Sequence, residues 1–321
     1  MAECDFMIYH ADNGAYCERG MDMEKKERTI TNRQLILYMI TAYGVAWVIQ
    51  VMASFFANRG GINNRSIFQI LMMVCMWAPF LAVLIAKIPL KDMGWGLHLK
   101  GKVRWVFFAL WLPLLINILG AVLYFLVFPG HFDTGFETMR LTLGEEGLAQ
   151  LEAQGLTVEA YVYACLLPSV TIAPFINILP SLGEEVGWRG ALYPALKERF
   201  GRTQGRILGG ICWGAWHWPV MILAGYEYGK VYLGAPVLGP IAFCLFATFG
   251  GILMDQVYEK TGSIWLPSLM HGAFNALTIT IYLIKPEYVD RIILGPHPTG
   301  IISMIPMAGI ALWICLKERG R

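Results

Sequence analysis

The chain has 321 residues, of which 56% are hydrophobic and only 15% charged. Soluble domains carry about 25% charged residues, and the mean hydropathy here is +0.52. That excludes a disordered chain, a fibrous protein and an ordinary soluble enzyme, and a net charge of +2 is too small to imply a nucleic-acid partner. The composition predicts an all-α, polytopic membrane bundle. Its 11 Trp and 14 Tyr suit the two membrane interfaces. The seven Cys form no CxxC pair, which excludes a thiolate zinc cluster, and most sit in apolar runs as small hydrophobes.

Residues 1–33 are polar and lack the apolar core of a signal peptide. They are expected to be a poorly ordered cytoplasmic tail, with Met21 and Met23 as alternative starts beside Met1. The membrane domain is expected over 34–321. A spanning helix needs about 20 apolar residues, and eight stretches qualify: 34–57, 66–86, 105–128, 160–182, 206–224, 236–254, 262–284 and 300–316. Pro168, Pro174 and Pro180 punctuate the fourth, which predicts kinks. With eight spans, 19 of the 25 Lys and Arg fall on the side shared by both termini and 6 on the other. Basic residues stay cytoplasmic, so both termini are expected there, in an integral protein of a bacterial plasma membrane. The acidic connection 129–159 is expected to hold a surface helix outside.

Ionisable residues inside a membrane are costly, and each asks for a reason. Three places carry them. Gly183-Glu184-Glu185-Val186-Gly187-Trp188-Arg189 ends the fourth span, Trp213-Gly214-Ala215-Trp216-His217 lies inside the fifth, and His271-Gly272-Ala273-Phe274-Asn275 lies inside the seventh. Helical spacing lets Glu185 pair with Arg189 on one face, while Glu184 points about 100° away. His271 and Asn275 share a face. His217 is about eleven residues into its span and His271 about nine, roughly 16 and 13 Å at 1.5 Å per residue. Glu184 reaches a comparable depth if the segment up to Arg199 stays helical. The three motifs therefore meet at one level nearer the cytoplasmic face. Gly144-Glu145-Glu146 starts alike, but Gln150 stands where an Arg would be needed, so this pair reads as solvated surface.

A carboxylate with a neighbouring His can hold and deprotonate water, and a second His with an amide can stabilise an oxyanion. That set suits amide hydrolysis. The same groups are ordinary zinc ligands, although no HExxH is present, and buried carboxylates with His also serve transporters as proton relays.

EExxxR, an aromatic-xxx-His and HxxxN on three successive motif-bearing helices resemble the CPBP intramembrane protease family. That family includes type II CAAX prenyl endopeptidases (Rce1-like) and bacteriocin-immunity or lysostaphin-resistance-like proteins. The resemblance covers 160–285 and places the active site between the fourth, fifth and seventh spans. It implies that Glu184 activates a water, that His217 helps hold it, and that His271 and Asn275 stabilise the oxyanion. Glu185 and Arg189 would support the site, as would Trp213, which stands where the family commonly has Phe. In a metalloprotease reading, His217, His271 and Glu184 would hold zinc. The implied partners are a peptide or membrane-protein substrate and the lipid bilayer. The other functions open to such residues are a non-catalytic immunity or scaffold protein and a proton-coupled transporter.

Overall fold

A computed structural model describes residues 29–97 and 99–319. The tail assigned to 1–33 lies almost wholly outside the described residues, as do Met1, Met21 and Met23. Among the described residues the regular elements are helical, apart from one isolated bridge between Phe132 and Ile284.

Helix α1 (Asn32–Ala57) opens on a capping box. The Thr31 hydroxyl accepts from the Gln34 backbone N–H at 3.2 Å, and the Gln34 side chain accepts from the Thr31 N–H at 3.1 Å, satisfying two donors that a helix start leaves open. Then follow α2 (Ile62–Cys75), α3 (Ala78–Ile85) and α4 (Val103–Val127). The acidic connection holds α5 (Glu137–Ala153), the surface helix expected there, and Glu145 and Glu146 on it are exposed. Next come α6 (Val158–Thr171), α7 (Ala173–Ile176), α8 (Ile178–Gly187), a π-turn at Trp188–Leu192, and α9 (Tyr193–Phe200). The last third consists of α10 (Arg202–Trp216), α11 (Trp218–Ala224), α12 (Leu238–Thr261), α13 (Trp265–Ala276), two 3-10 stretches at Ile279–Leu283 and Pro286–Leu294, and α14 (Ile305–Arg319).

Five segments among the described residues are long and apolar enough to cross a membrane: Asn32–Ala57, Asn63–Ile85, Val103–Val127, Arg202–Ala224 and Leu238–Thr261. The other three of the eight expected stretches take other forms. The fourth is broken into α6, α7 and α8, with Pro174 and Pro180 in the first turns of the last two. The seventh is the twelve-residue α13, which gives way to 3-10 backbone. The eighth is the fifteen-residue α14. Large apolar side chains stand exposed along the outer faces, among them Ile36, Ile40 and Val48 on α1 and Phe107, Leu115 and Leu126 on α4. Patches of that extent are foreign to a monomer in water and natural against lipid, and the chain is an integral membrane protein.

Two devices bind the bundle around its centre. At one end, Arg206 is wholly buried and reaches Asp255 at 2.6 Å, Glu259 at 2.8 Å and Glu318 at 2.6 Å. Lys197 joins Asp255 and Glu259, each at 2.8 Å, so one ion cluster clamps α9, α10, α12 and α14. Further in, small residues let helix backbones touch. A Cβ on Gly214 would stand 2.5 Å from the Cys244 Cα, and one on Gly272 would stand 2.7 Å from the Pro174 carbonyl oxygen. Close approach of this kind is how membrane helices gain contact without a hydrophobic driving force between them.

Gly214→Ala should therefore force backbone apart and cost about 1–3 kcal/mol, the usual range for overpacking. Gly44→Ala, where nothing lies within 4 Å, should cost nothing and gain up to about 1 kcal/mol of helix propensity. Thermal unfolding of the two variants in detergent checks the contrast; equal midpoints would show that α10 and α12 are not closely packed at Gly214.

Candidate active site

The carboxylates come first because the fold has to accommodate them. Glu184 and Glu185 lie near the end of α8 and are 2% and 0% exposed. Their neighbours in sequence divide the donors between them. Arg189 Nη1 donates to Glu185 Oε1 at 2.9 Å, with both side chains fully buried. The guanidinium also lies over the Tyr193 ring at 4.6 Å and the Trp213 ring at 4.9 Å, a cation–π sandwich that holds it in place. Glu184 takes the other side. Its Oε2 accepts the Trp188 indole N–H at 2.9 Å and the Trp213 indole N–H at 2.7 Å, while Oε1 takes neither bond.

Two histidines close in from other helices. His217 ends α10, is 8% exposed, and has its Nδ1 3.1 Å from the Trp213 carbonyl oxygen. A carbonyl can only accept, so Nδ1 carries the proton and Nε2 offers a lone pair. The Trp216, Phe243 and Tyr226 rings surround the imidazole, with Tyr226 nearly parallel to it at 9°. His271, on α13, places Nδ1 2.8 Å from Glu185 Oε1. The carboxylate acts as acceptor here too, so Nδ1 again holds the proton. Trp213 links the parts: it bonds Glu184, covers Arg189 and packs edge-on to His271 at 5.1 Å.

The structure thus gathers Glu184, Glu185, Arg189, Trp213, His217 and His271 into one buried cluster. Asn275 is not part of it. It sits one turn beyond His271 on α13 and is exposed. Three features went unread in the sequence. Trp188 is a donor to Glu184, a contact that its spacing of four residues could have suggested. The Glu185–His271 bond joins residues 86 apart in the chain, with no local signal. The π-turn at Trp188–Leu192 follows the carboxylates directly; such turns gather at functional sites, yet no residue pattern announces one.

A zinc ion would need at least three converging donors. Among the described residues, no three His, Cys, Asp or Glu side chains come together in that way, and Glu185 Oε1 already meets Arg189 and His271. The arrangement does not fit a resident metal.

Fold and site together define an all-helical membrane protein with a buried glutamate–histidine centre. Residues 166–277 match the family model described as type II CAAX prenyl endopeptidase Rce1-like. This is the resemblance that the motifs carried, and every residue from Glu184 to Asn275 singled out above falls within that segment. A curated relative, CAAX prenyl protease 2 of Methanococcus maripaludis, is 28% identical over 102 residues. That stretch makes up 32% of this chain and 37% of the relative's length.

Removing Arg189 strands a buried carboxylate, and breaking such a pair commonly costs about 3–5 kcal/mol. Arg189→Ala should therefore lower yield and thermal stability sharply, whereas Arg140→Ala, whose partner Glu159 is about 40% exposed, should cost at most about 1 kcal/mol. Equal losses for the two variants would contradict the buried pairing.

Proposed function

We propose that the protein is an intramembrane endopeptidase that hydrolyses a peptide bond with a water activated by Glu184. The observation that carries this reading is the contrast between the two neighbouring carboxylates. Glu185 meets a cation, Arg189, through Oε1, whereas Glu184 has only neutral partners among its bonds, the indole N–H groups of Trp188 and Trp213, both on Oε2.

The roles follow from the protons. Glu184 Oε1 takes a proton from the water as its oxygen attacks the substrate carbonyl carbon. His217 Nε2, a lone-pair acceptor, orients that water through its other hydrogen. The oxyanion then needs a donor. Neutral His271 has none to give at Nε2, because its proton is on Nδ1 facing Glu185. To donate from Nε2, His271 must carry a proton there as well, while Nδ1 stays bonded to Glu185 Oε1. Glu184 finally passes its proton to the leaving amine as the C–N bond breaks. The family match and the relative's name make a prenylated C-terminal peptide the first substrate to test, beside its unprenylated counterpart.

Glu184→Gln keeps size and hydrogen bonding but removes basicity. Hydrolysis by purified protein should fall about 10²–10⁴-fold, the usual contribution of general base catalysis, with peptide binding retained. His271→Ala should cost about 10²–10³-fold, as expected for an oxyanion donor. Undiminished turnover by the Glu184→Gln protein would falsify the reading, and chelator-insensitive turnover is the expected companion result.

The same reading sets the active site nearer the cytoplasmic face, with both termini cytoplasmic, on the 19-to-6 split of basic residues. Reporter fusions at Arg140 and Arg202 should then lie on opposite sides of the membrane. If both report one side, the orientation is wrong.

A further inference from the structure

Next to the catalytic cluster lies a second carboxylate–histidine pair that the hydrolysis above does not use. It follows α11, on the short connection to α12. Glu227 adopts φ +71°, a left-handed conformation with a real steric cost for any residue bearing a Cβ. Its Oε2 lies 3.6 Å from His297 Nδ1, and that nitrogen is also 3.0 Å from the Thr299 hydroxyl. Tyr228, beside it, donates its hydroxyl to the Thr299 carbonyl at 2.8 Å. Burial pushes the Glu227 carboxyl up to about 7, with the nearby Tyr226 and Thr299 hydroxyls pulling the other way. Burial also pushes His297 down to about 4, against a backbone bond at Leu277 that raises it. His297 is therefore neutral near pH 7, and its contact with Glu227 is a polar contact rather than an ion pair.

This cluster touches both histidine-bearing helices. Leu277, the backbone partner of His297, caps the end of α13. On the other side, the ring of Tyr226, the residue before Glu227, lies 6.3 Å from the His217 ring at an interplanar angle of 9°. That is an offset stack within the normal range of aromatic pairs. The Tyr226 hydroxyl also lies within electrostatic reach of both Glu227 and Glu184. A strained backbone persists only where surrounding structure holds it, and such strain gathers at functional sites.

We infer that Glu227 is a positioning residue, anchored by His297 and Thr299, that holds Tyr226 against His217 and so fixes the plane in which His217 orients the attacking water. The inference rests on the proposed hydrolysis for its kinetic consequence, but not for its structural one. Asn tolerates the left-handed backbone better than Glu does, and its shorter side chain cannot span the same gap. Glu227→Asn thus separates function from stability: it relieves strain while releasing Tyr226.

The test uses full-length protein in nanodiscs with ¹⁵N-histidine labelling, the His217 resonances being assigned by comparison with His217→Gln. Glu227→Asn should keep or raise the unfolding midpoint. It should shift or broaden the His217 Nδ1–H signal, and lower kcat by up to about 10²-fold, the effect of a small misplacement, with KM within about twofold. Glu227→Gln, which keeps length and an acceptor, should restore most of kcat. If Glu227→Asn does not fold, Tyr226→Leu takes its place with the same spectroscopic and kinetic expectations. A wild-type His217 signal in the folded variant overturns the inference whatever hydrolysis does. So does a fall in the unfolding midpoint that Glu227→Gln shares, because Glu227 would then be a brace. If wild-type protein cleaves no peptide while Glu227→Asn still alters the His217 signal, the positioning stands and the proteolytic reading falls.

Discussion

Two adjacent carboxylates inside an apolar bundle set the terms for everything around them. A buried charge without a partner is not tolerated, and two like charges side by side raise the cost further. The chain meets this by giving each carboxylate its own donors. Glu185 receives a cation four residues on and an imidazole from α13. Glu184 receives two indole N–H groups on one oxygen. Glu185 thus has a cation beside it, while the donors that Glu184 receives are neutral. The division of labour is a division of donors, and the helices are placed to supply them.

That placement explains why regular structure fails where it does. The fourth hydrophobic stretch is broken by proline into α6, α7 and α8, and the helix turns π directly after the carboxylates. Each break is a departure from the simplest way to cross a bilayer. Membrane helices tolerate such breaks where neighbouring structure packs against them; at the junction of α7 and α8, the Asn177 side-chain amide donates to the Gly272 carbonyl on α13 at 3.3 Å. The unbroken helices α1, α4 and α12 meanwhile keep lipid-facing apolar surface. The ion cluster around Arg206 pins α9, α10, α12 and α14 at one end, leaving the irregular segments free to shape the centre.

Trp213 shows how one residue can join several parts of a buried site. Its ring packs as an aromatic, and its indole N–H also supplies a donor. Here that donor is the shortest bond to Glu184, and the same ring covers Arg189 and packs against His271. A hydrogen bond to a charged group is worth about 1.5–3 kcal/mol, so Trp213 bears on the orientation of Glu184 as well as on packing.

Much was legible in the chain alone because membrane chemistry is strict. Composition gave the all-helical membrane class, since 56% hydrophobic residues and 15% charge leave few alternatives. The spacing of four between Glu185 and Arg189 gave their pairing, because that interval puts side chains on one helical face. Gln150 in place of an Arg marked Glu145 and Glu146 as surface, and both are exposed. Tertiary structure decided what spacing could not reach. His271 meets Glu185 across 86 residues, a contact set by packing of α8 against α13. Asn275 shares a face with His271 by periodicity, yet it lies exposed because burial depends on which neighbours cover that turn. The short, broken forms of the fourth, seventh and eighth stretches likewise depend on neighbouring helices, since hydropathy records only how apolar a stretch is. Local periodicity is encoded in adjacent residues; which faces meet, and which groups are left to titrate, is fixed only when distant segments pack.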